Sequence, residues 1–198
     1  VTPASSPTPS PTLGPSPTPT STQTPGGPSA VYLPIVQKPP IEFLIDCGSD
    51  ATYIDAQGRH WLADKEYSSG NWGYWGSSYS FSSDRSISGT SDSRLYQTVR
   101  STYGSFSYQF DVPDGTYEVE LHFAEVWWPT TARRVFRVNI EGQTVLNNYD
   151  IVAAAGGWLR ARVETCSVEV RDRQLNVDFV LGSKDYPMIN ALLVTKIS

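Results

Sequence analysis

The sequence predicts an all-β protein, an antiparallel β-sandwich or jelly roll, and three observations support that prediction. After Ile41, apolar and polar residues alternate along at least nine short segments, which is the pattern of half-buried strands. Turn-forming residues separate these segments, and none of them has a helical period. Because two sheets are needed to cover each other's apolar faces, residues 41–198 are expected to form one domain.

The N-terminal segment, residues 1–40, is predicted to be a disordered linker rich in Pro, Ser and Thr. Its first 29 residues contain nine prolines, seven threonines and six serines and carry no charge. Such a composition cannot bury enough apolar surface to offset the entropy of ordering the chain. The apolar run VYLPIVQKPP at 31–40 could pair as an edge strand or simply end the linker. The domain boundary is placed near Pro40, and the segment is expected to act as an extended spacer.

The predicted strands follow one another at short intervals. In TYEVELHF the apolar residues share one face and the polar residues share the other. The turn sequences at 113–115, 141–142 and 171–174 are typical of tight hairpin connections. In chain order the strands are EFLID (42–46), RLYQTV (94–99), SFSYQFDV (105–112), TYEVELHF (116–123), RVFRVNIEG (134–142), QTVLNNYDI (143–151), RARVETCSVEVRD (160–172), RQLNVDFVL (173–181) and MINALLVTKI (188–197).

Two stretches concentrate aromatic residues where a loop is expected. Residues 66–94 are rich in Gly and Ser but also contain several aromatic side chains, which argues against plain disorder and indicates a binding loop. In HFAEVWWPTTARRVF, residues 122–136, two tryptophans follow a strand directly. On strict alternation only one of them could face the core, and Pro129 indicates that the strand has already ended. The aromatic residues of this stretch include Trp72, Tyr74, Trp75, Tyr79 and Phe81.

The charge balance argues against nucleic acid as a partner, because the chain carries a formal net charge of −5. Displacing counterions from a polyanion requires a basic face. No apolar run approaches the roughly 20 residues that a bilayer span requires, so membrane insertion is not expected. The arginines are instead scattered and are expected on solvated strand faces: Arg133, Arg134, Arg137, Arg160 and Arg162.

An extracellular setting is expected from the composition of the linker. Tracts of Pro, Ser and Thr are common stalks between the modules of exported proteins. The chain begins with Val1 rather than Met. We therefore expect a secreted or cell-surface module that is covalently linked to neighbouring domains of a longer protein.

The two cysteines allow two interpretations. Cys47 and Cys166 each lie in a strand-like run, so in an oxidising compartment they could form a disulfide. The alternative is a pair of small thiols in the interior. With two histidines and no CxxC motif, a zinc site is not expected. No cofactor is predicted, and scattered Asp and Asn residues permit structural calcium without indicating it.

Six blocks of sequence, in order, resemble malectin and the bacterial malectin-type carbohydrate-binding modules. The resemblance implies a lectin-like β-sandwich, a sugar pocket at one end of it and no catalysis. Each block is short, but together they span most of the predicted domain. The blocks are LIDCG (44–48), RHWLAD (59–64), LYQTVR (95–100), LHFAEVWW (121–128), RRVFRVNIEGQTVLNNYDI (133–151) and NALLV (190–194).

The resemblance also implies site residues. Trp127 and Trp128 match the family's aromatic pair, and Tyr79 matches its first pocket tyrosine. The family's aspartate falls on Asp185. The second pocket tyrosine falls on Ser101, where this chain departs from the pattern, and Tyr103 lies two residues further on. Trp75 is an additional candidate because it is aromatic and lies in the long loop.

The chemistry of these residue types supports the same function. Aromatic rings lie against the apolar face of a pyranose, and an ionised carboxylate accepts short hydrogen bonds from hydroxyls. We therefore expect a non-catalytic module that binds a glucose-containing oligosaccharide or a glucan. The alternatives are a protein-interaction or assembly module, in which the tryptophans form a hot spot, and a glycoside hydrolase with Asp185 and Glu125 as its carboxylates. Glu125 is otherwise expected to be a structural acceptor.

Overall fold

A computed structural model describes residues 40–198 of the chain. The linker predicted over residues 1–40 therefore lies outside the described residues, apart from Pro40. Fourteen strands and two short helical turns are present in the described part. The strands are β1 (Glu42–Asp46), β2 (Tyr53–Ile54), β3 (His60–Ala63), β4 (Trp72–Trp75), β5 (Tyr79–Ser82), β6 (Thr98–Ser101), β7 (Phe106–Asp111), β8 (Gly115–Phe123), β9 (Val135–Ile140), β10 (Gln143–Tyr149), β11 (Arg162–Val170), β12 (Gln174–Lys184), β13 (Met188–Ile189) and β14 (Ala191–Lys196).

The strands form two large sheets and one small sheet. The six-stranded sheet has the order β11-β8-β14-β1-β3-β2, and the five-stranded sheet has the order β10-β9-β12-β7-β4. A three-stranded sheet, β13-β6-β5, completes the set. Between paired strands the direction is antiparallel except for β1 with β3, which run parallel. The predicted antiparallel β-sandwich is confirmed, whereas the jelly-roll strand order remains a prediction.

The core lies between the two large sheets, where their apolar faces meet. In β8 the side chains of Tyr117, Val119, Leu121 and Phe123 are fully buried, as the alternation predicts. The ring of Phe123 packs edge-on against Phe136 of β9, with centroids 5.9 Å apart. Such contacts between rings from opposite sheets fix the spacing of the sandwich.

The other face of β8 is also partly covered. His122 is buried there beside Trp61, with ring centroids 5.3 Å apart. Its two ring nitrogens lie 2.9 Å from the Tyr96 hydroxyl and 3.2 Å from a Glu120 carboxylate oxygen. Both polar atoms of a buried imidazole are therefore satisfied, which is what a structural histidine requires.

One of the three predicted hairpins is confirmed and two are wrong. Glu141 and Gly142, with φ of 49° and 70°, join β9 to its antiparallel partner β10, as a type I′ turn requires. The turns at 113–115 and 171–174 instead connect strands in different large sheets. A turn sequence determines the reversal of the chain, but it does not determine whether the two strands then pair.

Two further differences concern helical and strand content. The end of the predicted strand QTVLNNYDI begins a one-turn helix, α1 (Ile151–Ala155), which Asp150 caps at its N-terminus and Gly156, with φ of 70°, ends. Five residues are too few to show a helical period. The expected long loop at 66–94 contains β4, β5 and the start of a 3-10 turn, Ser93–Tyr96. None of the helical segments in residues 40–198 is long and apolar enough to span a membrane.

Of the two interpretations of the cysteines, the disulfide is wrong, because both cysteines are free thiols. Cys47 follows β1, whereas Cys166 lies on β11, and β8 and β14 separate these two strands. Three strand spacings amount to about 14 Å, and a disulfide requires Cα atoms within about 7 Å. Strand order therefore rules out the pairing, and Cys47 takes the alternative role of a buried thiol.

A buried carboxylate, Asp55, organises the β2–β3 turn. It accepts hydrogen bonds from the Trp61 indole at 2.9 Å and from the Arg59 guanidinium at 2.7 Å. Burial alone would raise the pKa of Asp55, but these bonds and those from nearby backbone N–H groups outweigh it and lower the pKa to about 2. The ionised carboxylate therefore stabilises the folded state.

We expect Asp55→Asn to lower the free energy of unfolding by about 2 kcal/mol at pH 7, as the lowered pKa implies. The wild-type advantage is complete above the ordinary pKa of about 4 and is lost as the pH falls toward 2. Urea denaturation at several pH values measures this difference. Asp84→Asn, at an exposed carboxylate, is the control and should change stability by less than about 0.5 kcal/mol. Equal stability of wild type and Asp55→Asn at pH 7 would contradict the assignment.

Candidate functional site

One rim of the sandwich holds a cleft of about 350 Å³ between the three-stranded sheet and the loop that follows β8. A volume of this size is within the range of small-ligand sites. The lining is mainly aromatic and aliphatic, with one arginine, one aspartate and one serine. We call this cleft the aromatic pocket, and it is lined by Tyr79, Phe81, Val99, Ser101, Val126, Trp127, Trp128, Arg134, Asp185, Tyr186 and Met188.

The three-stranded sheet supplies one wall of the aromatic pocket. Its register places Tyr79 of β5 opposite Ser101 of β6, which in turn is opposite Met188 of β13. Two residues further along β5, Phe81 is opposite Val99 of β6. Because side chains alternate along a strand, these two rows point to the same face. The pairing therefore brings Tyr79 and Phe81 together as neighbours on this wall.

The loop after β8 supplies the opposite wall, and Glu125 shapes it. One oxygen of the buried Glu125 carboxylate accepts hydrogen bonds from the backbone N–H groups of Trp127, at 2.8 Å, and Trp128, at 3.1 Å. The chain therefore turns away from the sheet at this point, and both indoles leave the strand register. Trp127 is 57% exposed and Trp128 is half-buried. The expectation that Glu125 is a structural acceptor is confirmed.

A buried guanidinium, that of Arg134, connects this loop to the segment after β12. Its Nε donates to the second oxygen of Glu125 at 2.7 Å, and its Nη2 lies 3.2 Å from Asp185 Oδ2. It also donates to the Tyr186 carbonyl. The prediction of a solvated Arg134 was wrong, because the guanidinium pairs with two carboxylates that are partly or fully removed from water.

The Asp185 carboxylate is held in one orientation by hydrogen bonds to only one of its two oxygens. Its backbone is left-handed, with φ of 49°, and the Trp128 indole N–H donates to Oδ2 at 2.5 Å. Oδ2 therefore receives both the indole and the guanidinium, whereas Oδ1 accepts no hydrogen bond from residues 40–198. An ionised oxygen in this position can accept strong hydrogen bonds from a ligand hydroxyl.

The remaining candidates from the sequence lie in two different places. Tyr103 is 77% exposed and borders the aromatic pocket, with its ring 4.9 Å from Tyr79 and 5.4 Å from Tyr186. Trp75 lies away from the pocket on β4, where its ring meets Tyr67 edge-on at 6.1 Å. The structure thus brings Tyr79, Trp127, Trp128 and Asp185 together, places Tyr103 at the border and leaves Trp75 apart.

Phe81, Arg134 and Tyr186 are among the lining residues of the aromatic pocket that were not predicted as site residues from the sequence. Phe81 was noted in the long loop, and the alternation Tyr-Ser-Phe-Ser at 79–82 was the signal that it shares a face with Tyr79. Arg134 and Tyr186 carried no such signal, because their contacts with Glu125, Asp185 and Tyr103 depend on the folded chain. Within residues 40–198, no group of three or more His, Cys, Asp or Glu side chains is placed to hold a metal ion.

We expect Arg134→Leu to lower the free energy of unfolding by about 3 kcal/mol, because it leaves the buried Glu125 carboxylate without its partner. The neighbouring Arg133 provides the matched control. It is exposed, with its guanidinium 4.3 Å from the Trp128 ring, so Arg133→Leu should cost about 1 kcal/mol or less. Denaturant unfolding of both variants measures the difference. Similar losses for the two substitutions would contradict the bridging role of Arg134.

Comparisons with known proteins agree with this architecture. The Malectin domain family matches residues 41–192. Malectin-A of Xenopus laevis is 31% identical over 121 residues, which cover 53% of this chain and 43% of that protein. Receptor-like protein 4 of Arabidopsis thaliana is 32% identical over 175 residues, which cover 77% of this chain and 27% of that protein. The chain therefore spans less than half the length of these relatives.

Solved structures give the same result for the fold. A structure of Bacteroides uniformis beta-glucuronidase 2 superposes with a TM-score of 0.71 at 26% identity, over 80% of this chain and 18% of that chain. The plant receptor-like kinase FER superposes with a TM-score of 0.65 at 22% identity, over 79% of this chain and 42% of that chain. Because the family match covers residues 41–192, the chain belongs to the Malectin domain family.

Proposed function

We propose that the chain is a non-catalytic carbohydrate-binding module whose aromatic pocket binds a glucose-containing oligosaccharide or a glucan. The observation that carries this proposal is the combination of two adjacent indoles with a carboxylate oxygen that accepts no hydrogen bond from residues 40–198. Trp127 and Trp128 provide apolar ring faces, and Asp185 Oδ1 provides a fixed acceptor. A sugar ring needs both, because its C–H face is apolar and its rim carries hydroxyls.

The fixed geometry of the acceptor supports selectivity among saccharides. Asp185 cannot rotate freely, because Trp128 and Arg134 both hold its other oxygen. A ligand that places a hydroxyl at Oδ1 gains a charge-assisted hydrogen bond, whereas one that buries Oδ1 without a donor loses the solvation of a charge. Such an arrangement favours a particular orientation of the sugar ring.

The charge of the site supports a neutral ligand. Arg134 pairs with two carboxylates, those of Asp185 and Glu125. The formal charge of these three groups together is −1. An acidic sugar would bring a second uncompensated negative charge into a partly desolvated cleft, which is unfavourable. Glucose units and other neutral hexoses avoid this cost.

The burial and hydrogen bonding of Glu125 support a binding role rather than hydrolysis. Glycoside hydrolases need one carboxylic acid to donate a proton and a second carboxylate to attack or activate water. Both oxygens of Glu125 already accept hydrogen bonds from Trp127, Trp128 and Arg134. Its side chain is only 1% exposed, so a substrate cannot reach it without a rearrangement of the loop.

Tethering at the cell exterior would make such a module useful. Receptor-like protein 4 of Arabidopsis thaliana is among the relatives of the chain, which supports an extracellular or cell-surface location in a larger protein. The Pro, Ser and Thr composition of residues 1–40 supports a spacer. A tether raises the local concentration of a module on its glycan, so a modest affinity suffices.

A second candidate function is protein recognition at the same rim. Trp127 and Tyr103 are 57% and 77% exposed, which is unusual for large aromatic side chains and typical of interface hot spots. In this case the two tryptophans would contact a partner protein or a second copy of the chain rather than a sugar ring.

Saccharide binding tests the primary proposal. We expect titration with nigerose, maltose and cellobiose to perturb tryptophan fluorescence for at least one of these sugars. Trp128→Ala and Asp185→Asn should each weaken that binding by about tenfold or more, since each removes an interaction worth about 1.5 kcal/mol or more.

Trp75→Ala is the matched control for the loss of an indole, because Trp75 is as exposed as Trp127 but lies outside the aromatic pocket. It should leave sugar affinity unchanged. The absence of binding to any of the three sugars and to a panel of glucan fragments would rule out the proposed ligand class. Equal weakening by Trp75→Ala and Trp128→Ala would show that the aromatic pocket is not the site.

The protein-recognition candidate gives a different result. If it is correct, Trp127→Ala with Trp128→Ala should change self-association in analytical ultracentrifugation and leave sugar binding unaffected. If the primary proposal is correct, the same double variant should lose sugar binding and keep the sedimentation behaviour of the wild type.

A further inference from the structure

A second cleft, of about 420 Å³, lies on the opposite face of the three-stranded sheet. Its lining is polar, in contrast to the aromatic pocket. Several of its hydroxyl and carboxylate groups make no hydrogen bond within the described part of the chain. We call it the polar cleft, and it is lined by Gly48, Ser49, Asp50, Ser80, Phe81, Ser82, Ser83, Arg94, Gln97 and Thr98.

The two clefts lie back to back around one strand edge. Along β5, Tyr79 and Phe81 line the aromatic pocket, and the alternate residues Ser80 and Ser82 line the polar cleft, as the pleat requires. β5 is an edge strand of its sheet. Phe81 is 39% exposed and lines both clefts. A ligand that leaves the aromatic pocket past Phe81 therefore meets the polar cleft next.

The floor of the polar cleft is organised by a fully buried carboxylate, Asp46. One oxygen accepts a hydrogen bond from Thr98, and the other lies 3.3 Å from Arg94 Nη1. This contact restrains Arg94, whose side chain is 43% exposed and whose other N–H donors make no hydrogen bond within residues 40–198. A guanidinium that is oriented in advance loses less entropy when it binds a ligand hydroxyl.

The charges of the polar cleft indicate the chemistry of its ligand. Arg94 is balanced by the buried Asp46, and Asp50 adds an exposed negative charge with no ion-pair partner among residues 40–198. A phosphate, sulfate or uronate would therefore meet a site without net positive charge. A neutral polyhydroxylated ring suits the available groups better, because serine hydroxyls, an amide, a carboxylate and a guanidinium can each donate to or accept from its hydroxyls.

We propose that the polar cleft is an accessory subsite for a further hexose unit of the same glycan chain that occupies the aromatic pocket. This inference rests on the proposed function, because the first unit must be bound in the aromatic pocket. The bound glycan crosses the edge of the sheet, formed by β5, at Phe81. The aromatic pocket supplies ring stacking, and the polar cleft adds hydrogen bonds to the units beyond it. The module therefore recognises an extended glycan better than a disaccharide.

Calorimetric titration of the full 198-residue chain with disaccharides and pentasaccharides of the malto, cello and laminari series tests this subsite. For the linkage that binds, we expect the pentasaccharide to bind at least about fivefold more tightly than the disaccharide, since one or two additional net hydrogen bonds are worth about this much. In Asp50→Ala/Ser82→Ala the disaccharide should bind as in the wild type, and the gain from chain length should disappear. Both positions are exposed, so the fold should be preserved.

Ser167→Ala/Asp172→Ala is the matched control, because it removes the same two residue types at exposed positions on and after β11. It should keep the full gain. Disaccharide binding without a gain in the wild type, or a gain that survives in Asp50→Ala/Ser82→Ala, would overturn the accessory subsite and leave the aromatic pocket intact. If neither disaccharides nor pentasaccharides bind to the wild type, the proposed function fails, and the subsite fails with it.

Discussion

The buried guanidinium of Arg134 is the contact on which the rest of the aromatic pocket depends. It bonds to Glu125, which turns the chain so that both indoles leave β8, and to Asp185, the acceptor on the other side of the cleft. Three charges in a poorly solvated place are stable only when each is paired and hydrogen-bonded. The same contacts that satisfy these charges therefore also fix the distance and orientation between the indole faces and the carboxylate.

The same contacts hold the aromatic side chains of the pocket in place. The indole N–H of Trp128 is committed to Asp185 Oδ2, so its ring cannot turn away without breaking a charge-assisted bond. Phe81 meets Trp127 edge-on at 5.5 Å and closes the other side. A cleft whose walls are fixed before the ligand arrives loses little conformational entropy on binding, which compensates for a small contact area.

Much of the fold and part of the site could be predicted from the sequence, because these features are encoded locally. The alternation in TYEVELHF determines which face of β8 is buried, and Pro129 indicates that the strand has ended before the two tryptophans. The role of Arg134 was not predictable, since its contacts with Glu125 and Asp185 form only in the folded chain. The separation of Cys47 from Cys166 depends likewise on strand order, which no local pattern encodes. The short helix after Asp150 was too brief to show a period.

A crystal structure of the chain with a bound disaccharide, of the linkage that binds most tightly, tests saccharide binding in the aromatic pocket most directly. We expect one hexose ring to lie against Trp127 or Trp128, with a hydroxyl oxygen within hydrogen-bonding distance of Asp185 Oδ1 and with Arg134 still bonded to both carboxylates. A sugar bound elsewhere on the sandwich, or bound in the aromatic pocket with Asp185 Oδ1 facing solvent, would contradict the central claim.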